Sequence, residues 1–309
     1  MAHRPLIGGH VSAAGGVSNT IARGEEIGAE VVQFFGSSPR QWHVNKPDEH
    51  EVGRFRAELS RSGLVQQAFL HAPYLINLAS DGATMRKRSV SALAGHMQVA
   101  EMIGAVGVIF HVGSATAAGR RRGPEESGDE APPKAGAGTD GVREEAVQNV
   151  IAGAKEVLER SPGKAFLILE NGSGSGTGGK LGDEASELAE IMKGVGNKRV
   201  RVCIDTAHGF GAGVMEFTLK ALQAYFDEYE RLMGSGALVV MQINDSKAEF
   251  GSLKDRHENI GEGHIGMTGF EHLAKIPQAI AVPWILEVPG FSGNGPDRKN
   301  IEILKKLFE

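Results

Sequence analysis

Five polar side chains in this sequence each close an apolar segment and are of metal-binding type. They are His71 in QQAFLHA, His111 in GVIFHV, Glu170 in AFLILEN, Asp205 in VRVCIDT and Glu287 in PWILEV. Two residues before each stands an apolar side chain: Phe69, Ile109, Ile168, Cys203 and Ile285. Residues two apart share one face of a β-strand, so apolar packing would give way to imidazole and carboxylate at one end of each strand. Taken alone, such a residue is more often hydrogen-bonded structure than a ligand. Five on one rim point to metal, because burying several carboxylates together costs several kcal/mol per charge unless cations offset it. Imidazole mixed with carboxylate suits Zn²⁺, with Mn²⁺ as the alternative. No CxxC pair and no HExxH helix competes for the assignment. His208 follows Asp205 by three residues, and Asp255 and His257 stand two apart in KDRHENIGEGHIG. Extended backbone would turn Asp255 and His257 to one side, and beside His208 they make a further candidate metal position. Asp-x-His alone usually marks a charged loop.

A rim of this kind needs strands that converge. Apolar strand candidates at 6–11, 31–35, 66–72, 107–112, 165–171, 200–206, 238–245 and 283–288 alternate with helical patterns such as 84–104, 142–160, 215–233 and 297–308. Strand–helix alternation argues for a parallel sheet with helical crossovers. Eight such units predict a (β/α)₈ TIM barrel of the α/β class, a single domain over 1–309, with its site at the C-terminal rim. A doubly wound sheet would more naturally use five or six strands. Residues 114–141 interrupt the pattern with Gly, Pro, Ala and charge, and read as a polar insertion after the fourth strand. Its RRR is better explained as a solvated loop than as a phosphate contact. NGSGSGTGGKLG contains G-x-x-x-x-G-K ending in Lys180, but Leu181 stands where a phosphate loop needs Ser or Thr.

Composition bounds the partners. The chain has 309 residues and a net charge of −5, so a global basic field for nucleic acid is absent. Bound cations and a local basic groove can stand in for one. No apolar run approaches the ~20 residues that span a bilayer, and MAHRPLIGGH lacks a signal-peptide pattern. The single Cys203 allows no internal disulfide and reads as a core residue in an apolar strand. A cytoplasmic location and a monomer are expected.

The motifs GGHVSAAGG (8–16), SPRQW (38–42), HAPYLINLAS (71–80), FHVGS (110–114), LENGSGSG (169–176), CIDTAHGFGAG (203–213), INDSK (243–247), DRHENIGEGHIG (255–266) and ILE (285–287) occur in this order. Jointly they resemble the endonuclease IV family of abasic-site DNA repair enzymes. The resemblance implies a (β/α)₈ barrel with up to three zinc ions. It implies that His71 and His111 bind one zinc and share Glu170 with a second, which Asp205 and Glu287 help to hold. His208, Asp255 and His257 would hold the third. Glu170 and Glu287 would position the attacking hydroxide, and Arg40, Tyr74 and Leu75 would enter double-stranded DNA at the lesion. The implied reaction hydrolyses the phosphodiester 5′ to an abasic site and leaves a 3′-hydroxyl and a 5′-deoxyribose phosphate. One departure stands out. Gln242 occupies the position where the family pattern places a histidine of the second metal site. An amide oxygen is a harder donor than imidazole nitrogen, so Mn²⁺ or another divalent ion becomes the expectation there. Two alternatives remain open: a divalent-metal sugar isomerase or epimerase of the same fold, and a non-cleaving binder of damaged DNA.

Overall fold

A computed structural model describes residues 4–115, 139–174 and 179–309. Most of the expected insertion at 114–141, including its RRR, lies outside the described residues, as does part of the Gly-rich loop before Lys180.

Eight parallel strands close into a barrel in the order β1-β10-β7-β6-β5-β4-β3-β2. They are β1 (Ile7–His10), β2 (Val31–Phe35), β3 (Gln67–His71), β4 (Gly107–His111), β5 (Phe166–Glu170), β6 (Val200–Asp205), β7 (Leu238–Gln242) and β10 (Trp284–Leu286). A short antiparallel pair, β8 (Asp245–Ser246) and β9 (His257–Glu258), sits beside the rim after β7. Around the barrel run α1 (Asn19–Ile27), α2 (Glu49–Arg61), α3 (Ala83–Ile103), α4 (Thr139–Arg160), α5 (Ala185–Val195), α6 (Thr206–Ala212), α7 (Leu219–Met233), α8 (Gly266–Leu273), α9 (Pro277–Ile280) and α10 (Arg298–Lys305).

Strand periodicity divides the core in two. Val31, Phe69, Ile109, Ile168, Cys203, Val240 and Ile285 fill the barrel interior, each fully buried. Each larger side chain there contributes roughly 1.5–3 kcal/mol relative to exposure. β1 offers Gly8 at this level, where an added Cβ would lie 1.7 Å from the carbonyl oxygen of Val31. Only glycine lets β1 and β2 approach so closely. The alternate residues pack outward against the helices in a larger cluster that includes Phe34, Leu70, Phe110 and Trp284.

The eight expected strands are all present. Several element bounds differ from the sequence expectation by one to four residues, and three of them have a clear local reason. The seventh strand ends at Gln242, because Asp245 turns away to pair with Glu258. The helix expected from 215 begins at Leu219, where the Thr218 side chain caps it by accepting from Ala221 N. The helix expected from 297 to 308 is α over Arg298–Lys305, started by an Asp297 cap, and tightens to a 3₁₀ turn over Lys306–Phe308.

Candidate metal centre

Two residues past the apolar interior, the same face of each barrel strand presents His10, Gln33, His71, His111, Glu170, Asp205, Gln242 and, just after β10, Glu287. This polar layer is the C-terminal rim. Glu170 is central to it. Its buried Oε2 lies 3.1 Å from Nε2 of His71, while Oε1 lies 3.2 Å from Nε2 of His111 and 3.1 Å from Nδ1 of His208. Oε1 nonetheless makes no hydrogen bond. Burial alone would raise the Glu170 carboxyl, but the His111, His208 and His71 imidazoles hold it well below the usual carboxylate range. Burial would likewise lower His71, whereas Glu170 and then Glu287 raise it to about 9.

The stretch CIDTAH explains itself at β6. Asp205 is the N-cap of α6, and its Oδ1 accepts from the backbone N–H of His208 at 2.9 Å. An N-cap oxygen reaches the amide three residues on, so the cap that starts the helix also sets His208 beside Asp205. The β8–β9 pair then delivers the loop side chains. Asp255 lies 3.1 Å from Nε2 of His208 and 3.3 Å from Nε2 of His257, and His257 Nε2 is 3.6 Å from Asp205. His257 Nε2 is buried without a hydrogen bond. Burial would lower its imidazole, but Asp205 and Asp255 raise it to about 9.

The ring orientations are fixed from behind. His71, His208 and His257 turn Nδ1 toward the carbonyl oxygens of Ala72 (2.7 Å), Asn171 (3.0 Å) and Glu287 (3.3 Å). An Nδ1–H donated to a carbonyl leaves the Nε2 lone pair facing the carboxylates, the tautomer that metal ligation uses. His71, His111 and Glu170 form one group whose ligand atoms lie within 4.8 Å of one another, and Asp205, His208 and His257 form a second. Each offers two imidazoles and a carboxylate, a donor set that fits Zn²⁺. The orphaned Glu170 and His257 atoms are what such ions would satisfy.

The other side of the rim is built from amides. Glu287 accepts a short hydrogen bond from Nε2 of Gln33, and Nδ1 of His10 lies 3.4 Å away. Burial alone would raise Glu287, but His10 and His71 bring it down to about 2. Gln242 is fully buried, accepts from the Cys203 thiol at 3.4 Å and donates to Gln33 Oε1 at 3.4 Å. Two further amides tie this side to the first. Asn244 donates to Asp205 Oδ2 at 2.6 Å and accepts from the Glu287 backbone at 2.7 Å, while Asn171 accepts from Asp205 N at 2.6 Å. His10, Gln33, Asn171 and Asn244 are not among the expected site residues. His10 and Gln33 obey the same two-residue step past Gly8 and Val31, so the signal is present. The asparagines lie in LEN and IND, next to a ligand-type residue or just beyond a strand end. In IND, Asp245 is no ligand. It accepts backbone N–H groups of Ser246, Gly261, Gly263, Ile265 and Gly266, and thereby shapes the loop after β9.

A cavity of about 960 Å³ opens beside this centre, with His10, Phe35, Tyr74, His257 and Glu287 in its wall. Tyr74 is 60% exposed, and its ring centroid lies 5.5 Å from those of Phe35 and His111. Leu75 beside it is half-buried, and Arg40 is exposed on the loop after β2. Cys203 is fully buried and burial pushes its thiol well up, as a core residue.

Residues 21–307 match the family described as Xylose isomerase-like TIM barrel. A "Probable endonuclease 4" of Nitratidesulfovibrio vulgaris is 36% identical, over 98% of this chain and 99% of its own length. A protein of the same name from Aquifex aeolicus is 33% identical, over 98% of each chain. The crystal structure of endonuclease IV from Thermus thermophilus superposes with a TM-score of 0.78 at 27% identity, covering 98% of this chain and 99% of the other. With a closed eight-stranded barrel and relatives above 30% identity over nearly their whole length, the chain belongs to the endonuclease IV family of phosphodiester-cleaving hydrolases.

Proposed function

We propose that this enzyme cuts double-stranded DNA at abasic sites, hydrolysing the phosphodiester 5′ to the lesion to leave a 3′-hydroxyl and a 5′-deoxyribose phosphate. The observation that carries this reading is the buried Glu170 Oε1, close to two imidazole nitrogens and hydrogen-bonded to neither. His71, His111 and Glu170 would hold one divalent ion, and His208 and His257 another, with Asp205 and Asp255 beside them. Zinc suits both sets. Such ions supply a water of lowered pKa and offset charge on the phosphate. The chain's own residues do the rest. Glu287 feels the charge of Glu170, and the two would position the attacking water between imidazoles of fixed tautomer. Asn244 holds Asp205 and the Glu287 backbone in one arrangement.

A third ion beside Glu287 would meet Gln242 rather than an imidazole at the end of β7, and Gln242 already spends both ends of its amide on Cys203 and Gln33. With Gln242 in place of a histidine, His10 is the imidazole beside Glu287 and oxygen donors dominate the set. That shifts preference from Zn²⁺ toward Mn²⁺ or Mg²⁺, so this position is read as weakly held and exchangeable. At the mouth, Tyr74 presents an exposed ring face, Leu75 follows it in the loop after β3, and Arg40 is exposed on the loop after β2. An aromatic and a guanidinium suit the gap left by a missing base. No base need be read, so lesion shape would decide the site of cutting. A cytoplasmic monomer belongs to the same reading, supported by a lone, buried cysteine. No helix among the described residues is long and apolar enough to cross a membrane.

The test is nicking of an abasic duplex beside its intact counterpart, with metal content measured on the same protein. Cutting 5′ to the lesion, with a 3′ end that a polymerase extends, is expected. Tyr74→Ala should keep its metal and lose roughly ten- to hundredfold in preference for the abasic duplex, the scale of one stacking contact worth ~1–3 kcal/mol. A fully metallated protein that leaves abasic DNA intact would refute the reading.

A further inference from the structure

A second cleft, about 730 Å³ in volume, lies away from the metal centre between the loop from Trp42 to Lys46 and the outer face of α3. Lys46, Lys87, Arg88 and Arg160 line it, and no carboxylate among the described residues does. Arg160 is committed to Glu156 at 3.1 Å. Lys46, Lys87 and Arg88 form no ion pair with a described residue and are exposed. In a chain of net charge −5, that local excess of cations is unlike the whole.

Its construction carries a cost. α3 has no acidic residue in its first turn, and Arg86, Lys87 and Arg88 follow one another as that turn ends. Cations near a helix start oppose its dipole, so the run weakens the helix rather than supporting it. The loop is seated closely on the same helix. A Cβ added at Gly95 would meet Val44 Cγ2 at 3.0 Å, and Trp42 and Val44 pack against the core. That seat fixes Lys46 at the end of the loop, where it lines both this cleft and the cavity beside the metal centre.

We propose that the Lys46–Lys87–Arg88 cleft binds backbone phosphates of the duplex flanking the position that is cut. The inference rests on the reading of the rim as a DNA-cleaving centre, and the shared wall at Lys46 makes the two surfaces continuous. Ammonium and guanidinium groups here meet phosphate oxygens rather than base edges, so their contribution is independent of sequence and of the lesion.

The experiment measures duplex binding over a salt series for the parent, for Lys87→Gln/Arg88→Gln and for a charge-matched control, Lys193→Gln/Lys198→Gln, exposed near the end of α5. Intact and abasic duplexes of equal length are both used, with metal content as a check on the fold of the rim. Each phosphate contact contributes about 0.9 to the slope of log affinity against log salt. The cleft variant should therefore lose about 1.8 from that slope on both duplexes, and the control should keep the parental slope. If the double variant does not fold, Lys46→Gln, outside the helix, should lose about 0.9. A parental slope in the cleft variants overturns the proposal. So does weakening confined to the abasic duplex, which would put these residues at the lesion. Parental nicking is scored in the same samples. A parent that binds DNA and never cuts refutes the reading of the rim, and the slope still decides the cleft.

Discussion

The two sides of the rim occupy one layer of one barrel and satisfy buried carboxylates by different chemistry. On the β3–β6 side, Glu170 and Asp205 are met by imidazoles whose outer nitrogens are tied to the backbone at His71 and His208. Glu170 Oε1 and, beside this group, His257 Nε2 are left with no hydrogen bond. On the β1, β2, β7 and β10 side, Glu287 is met by Gln33 and His10, and Gln33 by Gln242. Amides carry donors and acceptors together, so that side closes on itself without an ion. A buried carboxylate is therefore a weaker mark of a metal than convergent imidazoles with their Nδ1–H groups already used.

The comparison breaks most visibly at Glu170. Glu170→Ala should remove metal from the imidazole side and cut nicking by more than the ~10–100-fold typical of an outer partner. Full metal content and parental nicking would sink the assignment. Asn244→Ala, which frees Asp205 and the Glu287 backbone at once, should lose about 10–100-fold in metal affinity or activity. Competition with a graded chelator reads it, and parental affinity would make Asn244 a loop residue only. Gln242→His tests the amide side directly. After chelation and return of Zn²⁺ or Mn²⁺ separately, the variant should hold about one more tightly bound zinc and respond less to manganese. Equal zinc content in both proteins would mean the amide is no handicap.

The smallest effect lies at Glu30, where a guanidinium does what imidazole and amide do at the rim. Glu30 accepts both Arg4 nitrogens at 2.7 Å and Ile7 N at 3.0 Å. Burial would raise this carboxyl, but Arg4 brings it down to about 2. A lowered carboxylate adds stability that is present above its ordinary value near 4.5 and lost as the pH falls through about 2. Arg4 is 38% exposed, so solvent screens the pair and Glu30→Gln should cost about 1 kcal/mol at neutral pH. Thermal melts should show that gap closing in acid, with nicking at neutral pH unaffected. A gap that persists at about pH 2 would assign it to packing.

What can be read from the amino acids follows from period and alternation. The interior Val31-to-Ile285 layer and the polar residues two steps beyond it repeat one rule, so the barrel, His71, His111, Glu170, Asp205 and Glu287 are legible. Asp255 and His257 need the β8–β9 pair to bring them to the rim, and spacing alone gives no such pairing. His10 and Gln33 obey the rule without standing out, because glycine fills the interior position in β1 and glutamine is no obvious ligand. Asn171, Asn244 and Asp245 are beyond reach, since their roles depend on which backbone groups the loops leave facing them. α6 is likewise hidden, for the seven residues TAHGFGA, with Gly209 and Gly211 among them, carry little helical period.

Asp245 has a consequence for how the rim moves. Its two oxygens accept amides from Ser246 and from four positions between Gly261 and Gly266, so one fully buried side chain gathers a surface loop onto the end of β7. Loops ordinarily belong to the least stable units of a domain and exchange their amide hydrogens through small, frequent openings. Here each of those amides must first give up Asp245, and an opening in which Asp245 leaves the interior also disturbs β8 and its partner β9. The segment carrying His257 is therefore expected to exchange more slowly than the loops around it, closer to the clock of the barrel strands, and amide hydrogen exchange would check this.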